Sequence, residues 1–263
     1  LSRREHRFWE TLEKQGGEVE LRYARDLPDD TPEYIIRHLI QFEKDVSRFC
    51  YQNLSGLILD AGCGNGNLLV HARQQSQKED FHAVGMDFSR MMLRRAAGRR
   101  GISRADSFIQ GSVDRIPFRN QAFDALLCSG VLTCLSSMEE VNRALHEFYR
   151  VLKPGGILTV DFFNRTSHFT RLRRLSGERI EPPEYMSPDD FNCLLEGSGF
   201  RVVDQRGFDF KPFQGYLFMS RLRVLDPGFI QEKFSRLMET RVIPRLSRAS
   251  RLGYRIYVRC RKV

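Results

Sequence analysis

The rhythm of hydrophobic positions changes at residue 56. Before it, Ile35, Ile36, Leu39, Ile40, Phe42, Val46 and Phe49 recur at the 3.6-residue period of one helix face. That helix begins near Pro32, a residue suited to a first helical turn, and runs towards Gln52. An amphipathic piece over 3–15, a turn at 15–17 and an acidic loop over 26–30 precede it. Residues 1–54 therefore read as a helical cap.

From residue 56 onwards, strand-length apolar runs alternate with helical patterns. Strands are expected at 57–60, 81–87, 108–111, 123–128 and 157–162, with helices over about 67–78, 89–100 and 138–152. Lys153-Pro154-Gly155-Gly156 stops the third of these helices. Beyond a loop containing Pro182-Pro183, Ser187 is placed to cap a helix over 187–197, and a strand follows at 200–206. Residues 211–252 read as a largely helical insertion, and a final alternating strand at 254–260 fits a sheet edge. Strands joined by helical crossovers imply an α/β fold: a parallel sheet covered on both faces. The domain so defined covers 55–263.

Composition narrows the classes. The chain of 263 residues is 41% hydrophobic and 29% charged, ordinary for a globular protein. No apolar run approaches the roughly 20 residues of a membrane span. The first ten residues lack the apolar stretch of a secretory signal. Six cysteines at 50, 63, 128, 134, 193 and 260 form no CxxC pair and no zinc-spaced cluster. Neither disulfides nor a bound metal is expected, and a cytoplasmic location follows.

The net charge of +9 resides in residues 214–263, which hold 12 Lys+Arg against 3 Asp+Glu. Such a segment suits an anionic substrate or peripheral contact with an anionic membrane. Arg outnumbers Lys 35 to 7 throughout, a bias that weakens the case for a dedicated nucleic-acid surface, so nucleic acid is not the favoured partner.

The chemical centre is DAGCGNG at 60–66, between a strand and a helix. Its glycines permit a tight turn and close approach of backbone N–H groups to a ligand. Position 67 is Asn where a dinucleotide fingerprint needs Gly, and the Gly-Lys-Ser/Thr of a P-loop is absent. Asp60 beside the loop would repel a pyrophosphate and suits an ammonium group. Asp87, at the end of the second strand, is placed to accept ribose hydroxyls. A nucleoside with a cationic tail, S-adenosylmethionine, satisfies both.

With these residues the chain resembles the class I S-adenosylmethionine-dependent methyltransferases, in the branch of ubiquinone/menaquinone C-methyltransferases and small-molecule methyltransferases. Four blocks carry the resemblance: DAGCGNG at 60–66, VGMDFS at 84–89, FIQGSVDRIPFRNQAFDALLCSGVL at 108–132 and RVLKPGGILTVD at 150–161. It implies a Rossmann-like, seven-stranded, mainly parallel sheet of order 3-2-1-4-5-7-6, its last strand antiparallel, with the N-terminal helices over the carboxyl ends of the strands. It further implies that Asp60 and the loop residues Ala61, Gly62, Cys63, Gly64 and Gly66 hold the methionine end. By the same resemblance Asp87 holds the ribose and Phe88 flanks the adenine. Ser112 and Val113 meet the adenine edge, and Ser129 lines the cofactor. Relatives commonly carry Asp where this chain has Ser112; Asp114 is the nearest substitute.

Such methyl transfer is a direct displacement that needs alignment more than a base, and the catalytic residue is left open. Asp161 and His168, at and after the end of the fifth strand, are candidates, and His146 and Tyr51 are the other candidate bases. Ser129-Gly130-Val131-Leu132 lacks an NPPY-like tetrad, which argues against amino groups of nucleobases or amides. Phe162, Phe163, Phe169, Phe208, Phe210, Phe213, Tyr216 and Phe218 gather where a roof is expected and suit an apolar, aromatic, lipid-like or quinone-like acceptor. The expectation is O-, C- or N-methylation of a small molecule, with 211–252 as a lid. In that lid Phe229, Ile230, Phe234, Leu237, Met238, Val242 and Leu246 form one face, and Lys233, Arg236, Arg241, Arg245 and Arg248 the other. The alternatives are a nucleic-acid or protein methyltransferase using the basic segment, or a non-catalytic cofactor-binding subunit.

Overall fold

The computed structural model describes residues 33–75, 81–175, 180–209 and 249–263, with the single positions 237 and 241. Helix α1 (Glu33–Tyr51) leads into β1 (Gly56–Ala61), α2 (Asn67–Gln75), β2 (Phe81–Asp87), α3 (Arg90–Ala97), β3 (Ser107–Gln110) and β4 (Phe123–Cys128). Next come α4 (Met138–Val151), β5 (Leu152–Asn164), α5 (His168–Leu175), β6 (Tyr185–Met186), α6 (Pro188–Gly197), β7 (Phe200–Phe208) and β8 (Arg255–Lys262). The acidic loop, the first amphipathic piece and most of the 211–252 insertion lie outside the described residues.

The sheet runs β3-β2-β1-β4-β5-β8-β7. Strands β1 to β5 pair in parallel, and β8 is antiparallel to both its neighbours. This is the expected α/β order with one addition. An eighth strand, β6, pairs parallel with Phe163 and Asn164, because β5 extends past β4 and offers a free backbone edge there. The final strand is interior, as the family order implies, and not at the edge that its alternation suggests. β8 sits between β5 and β7, its Ile256, Val258 and Cys260 buried on one face and Tyr257 on the other. Alternation alone does not separate an edge strand from one whose second face meets a partly polar layer.

Side-chain parity divides the core. Leu59, Leu126, Leu158, Val160 and Val258 pack with Val141, Leu145 and Phe148 of α4 and Phe191 and Leu195 of α6. On the opposite face Ile58, Ala83, Leu127 and Tyr257 meet Phe42, Val46 and Phe49 of α1 and Leu69 and Ala72 of α2. Helix α4 is held by local chemistry as well: Ser137 accepts the Glu140 N–H at its start, Glu139 and Glu140 occupy the first turn, and Arg150 the last. Ser187 caps α6 in the same way, accepting the Asp190 N–H. Because α1 crosses a sheet face, its Leu39, Phe42, Glu43 and Val46 reach the carboxyl ends of the strands, where they line a cavity.

Candidate functional site

The turn after β1 is built by backbone geometry. Gly62, Gly64 and Gly66 have φ of +82°, +54° and +75°, the left-handed region that glycine enters without cost. The N–H groups of Gly62 and Cys63 donate to the Met86 carbonyl at 2.6 and 3.0 Å, tying the loop to the end of β2. The Gly64 N–H donates to Asp87 Oδ2 and the Ser89 N–H to Asp87 Oδ1, both at 2.9 Å. Burial raises the Asp87 pKa, and these backbone donors pull it back. A Cβ on Gly64 would meet nothing within 4 Å, so the loop leaves a cradle there; on Gly62 it would collide with Val131.

Two chambers open at the carboxyl ends of the strands. The first, about 220 Å³, is lined by Gly62, Gly64, Asp87, Phe88, Met92, Ser112, Val113, Asp114, Ser129, Gly130, Val131, Cys134, Leu135 and Glu140. Seven residues named from the sequence for the cofactor thus line one chamber. Ser112 Oγ donates to Asp114 Oδ1, so the serine and the nearest acid form one polar unit. Apolar side chains of Met92, Val131 and Leu135 line the same chamber, and a largely apolar lining with a few polar groups suits a nucleoside.

The second chamber, about 680 Å³, shares Gly62, Gly64, Ser129 and Gly130 with the first. One side carries Glu43, Asp60, Cys63, Asn65 and Asn67; the other carries Phe163, Phe169, Arg173, Asp209, Tyr254, Arg255 and Tyr257. Asp60 is buried and accepts the Tyr51 hydroxyl at 3.1 Å. Burial pushes its pKa up to about 7, with Asp87 adding to the rise and the Tyr51 bond opposing it. Arg173 donates to the Tyr185 and Tyr254 hydroxyls, the latter at 2.9 Å, and these two hydroxyls lie 3.0 Å apart.

Other sequence candidates sit elsewhere. Ala61 is wholly buried in the core, and Gly66 packs against Ala96 of α3. Asp161 faces neither chamber. It is buried, its Oδ1 accepting the Gly130 N–H at 2.6 Å and its Oδ2 the Arg255 Nε–H, so it braces the wall between the chambers. His168 and His146 are exposed and line neither chamber. Of the expected roof, Phe163 and Phe169 reach the second chamber, while Phe162 and Phe208 belong to the core; Phe210, Phe213, Tyr216 and Phe218 lie outside the described residues. Glu43, Arg173, Tyr254, Arg255 and Tyr257 were not singled out by sequence. Their only local signal is the alternation of β8, which puts Arg255 and Tyr257 on one face. Among the described residues no three or more His, Cys, Asp or Glu side chains converge as a metal site, and no helix is long and apolar enough to cross a membrane.

The loop cradle and the buried carboxylate of Asp87 fit S-adenosylmethionine. Comparisons agree with that fit. The family described as a methyltransferase domain matches residues 58–156. A ubiquinone/menaquinone biosynthesis C-methyltransferase of Bartonella bacilliformis is 25% identical over 176 residues, 57% of this chain and 66% of that protein, so the chain spans just under two thirds of it. A protein of Encephalitozoon cuniculi named as a methyltransferase is 37% identical over 172 residues, 59% of this chain and 74% of that one. In fold, the chain is similar to the magnesium protoporphyrin IX methyltransferase of Synechocystis crystallised with S-adenosylhomocysteine. The TM-score is 0.58 with 16% identity, covering 99% of this chain and 95% of that one. The loop, the sheet order and these relatives together place the chain in the class I S-adenosylmethionine-dependent methyltransferase family.

Proposed function

We propose that the protein transfers a methyl group from S-adenosylmethionine to a small molecule seated in the second chamber. The observation that carries this reading is the shared wall: Gly62, Gly64, Ser129 and Gly130 belong to both chambers. A ligand in the first chamber can therefore present one end to the larger space. When bound, the cofactor supplies a methyl group activated on a sulfonium. Asp87 would accept the ribose hydroxyls on lone pairs that Gly64 and Ser89 leave open. Val113 and the Ser112–Asp114 unit would hold the adenine, with Phe88 and Met92 lining the same chamber. Asp60 faces the ammonium.

The chain's part in the chemistry is alignment and exclusion of water. Asp161 fixes Gly130, and Tyr257 fixes Ser129 through hydroxyls 2.8 Å apart. The aromatic side of the larger chamber supports an acceptor with an apolar or aromatic body, methylated at O, C or N.

Calorimetric titration with S-adenosylmethionine, followed by turnover to S-adenosylhomocysteine with aromatic, quinone-like and lipid-like acceptors, tests the proposal. Micromolar binding and acceptor-dependent turnover support it. A chain that binds no cofactor, or binds it with no turnover on any acceptor, would contradict it.

A further inference from the structure

Arg255 differs from the other charged groups of the second chamber: it is fixed at one atom and open at two. Strand β8 places it diagonally across from Asp161, which faces Tyr257 in the β5–β8 register. Its Nε donates to Asp161, and its guanidinium lies 5.6 Å from the Phe163 ring centre and 5.4 Å from that of Tyr257. These contacts leave Nη1 and Nη2 with no hydrogen-bond partner among the described residues. The side chain is 15% exposed and lines the chamber. Nη2 stands over Gly130, where a Cβ would come within 2.6 Å of it. The open edge of the guanidinium is therefore next to the wall common to both chambers.

Two terminal guanidinium nitrogens offer parallel N–H donors that match the two oxygens of a carboxylate. The anchoring by Asp161 and the flanking rings hold that edge in place, so little side-chain freedom remains to be lost on binding. Asp161 and Asp209 balance the charge and keep Arg255 ionised. Fixed donors, and not a surplus of positive charge, distinguish this edge. An ammonium-bearing acceptor would meet donors where it needs acceptors. Phe163 and Tyr257 supply apolar ring surface beside the same edge.

We propose that the acceptor carries a carboxylate on a flat apolar body and that Arg255 receives this carboxylate end-on. The proposal deepens the assignment of the second chamber to the acceptor and rests on it. Arg255 would then set substrate specificity, with Asp161 as its positioning partner.

The test is calorimetry on the full chain saturated with S-adenosylhomocysteine. The probes are 4-hydroxybenzoate and 2-naphthoate, each against its carboxamide, with phenyl phosphate as a second anion. The acids should bind the wild type at least tenfold tighter than the amides. Arg255→Gln combined with Asp161→Asn, which removes both charges so that neither is stranded, should abolish that preference. Arg255→Lys, which keeps the charge and loses the paired donors, should lose most of the preference. Equal binding of acid and amide to the wild type, or a preference that survives in the double variant, would overturn the proposal. So would a tenfold loss of S-adenosylhomocysteine affinity in Arg255→Lys, which leaves Asp161 on Gly130 and would assign the guanidinium to the cofactor's own carboxylate. Tighter binding of phenyl phosphate than of either acid would overturn the carboxylate in favour of a phosphate. If the wild type does not bind S-adenosylhomocysteine, the functional assignment fails instead, and the probe comparison is read on the ligand-free chain.

Discussion

The hydroxyl of Tyr51, at the end of α1, donates to Oδ2 of Asp60, at the end of β1, across 3.1 Å in the interior beneath the glycine loop. This one bond joins the helix that precedes the sheet to the residue placed for the cofactor's ammonium. It also stabilises the ionised form of a carboxyl group that burial otherwise keeps protonated, with the pKa raised from 3.8 to about 7.

The pH dependence of cofactor affinity follows from that value. A cationic ligand end favours ionised Asp60. Above about 7 the carboxylate is already formed; below it, binding must expel a proton. Affinity for S-adenosylhomocysteine should therefore fall as pH drops through 7, approaching about tenfold per unit, and calorimetry at pH 6 in buffers of different ionisation enthalpy should detect proton release. For stability the sign is reversed: the folded pKa exceeds the unfolded one, so Asp60's contribution is complete below about 4 and is lost as pH rises through 7. Asp60→Asn should flatten the affinity profile. A wild-type profile flat from pH 5.5 to 8 would remove Asp60 from the ammonium site.

Asp87→Ala should weaken cofactor binding by about 1.5–3 kcal/mol, the scale of hydrogen bonds to a charged group. The fold should survive, because the neighbouring strands remain buried. Titration of the folded variant checks this, and unchanged affinity would put the ribose elsewhere.

The two first glycines of the loop should respond differently to alanine. At Gly62 the added Cβ would lie 2.1 Å from Val131 at a φ of +82°, so Gly62→Ala should lower stability by more than the roughly 1–2 kcal/mol of left-handed backbone alone. At Gly64 the space is open and points into the cradle, so Gly64→Ala should cost about 1 kcal/mol of stability and lose cofactor affinity. Urea melts and titrations of both variants separate the two effects; equal melts would show that the Val131 contact does not constrain the loop.

A buried ion pair holds the entrance to β3. Arg73 on α2 donates to Asp106 at 2.6 Å, and Asp106 also accepts the N–H groups of Ala83 and Ser103. The two side chains are 5% and 0% exposed. Removing the cation strands a buried carboxylate, so Arg73→Ala should destabilise the chain by about 3–5 kcal/mol, as read from denaturant unfolding. A loss below about 1 kcal/mol would place this pair among those of surface strength.

What could be read from the sequence was local. The glycine loop, the acid at the end of β2 and the cap at Ser187 each express their geometry within a few residues, and these sit where the sequence puts them. Arg255 and Asp161 are 94 residues apart, and no local pattern joins them. Their pairing depends on β8 inserting antiparallel between β5 and β7, and the alternation of β8 fits an edge strand equally well. Asp161 consequently reads as an accessible acid at a strand end, although it is committed to Gly130 and Arg255. Strand β6 was illegible for a similar reason: two residues carry no period, and pairing with the overhang of β5 defines them.

A crystal structure of the chain with S-adenosylhomocysteine tests the central claim most directly. The adenine should lie against Ser112 and Val113, the ribose hydroxyls on Asp87, and the sulfur beside Ser129 and Gly130, turned towards Arg255 and Tyr257. A ligand bound with its sulfur facing away from the second chamber, or bound outside the glycine loop altogether, would contradict the account.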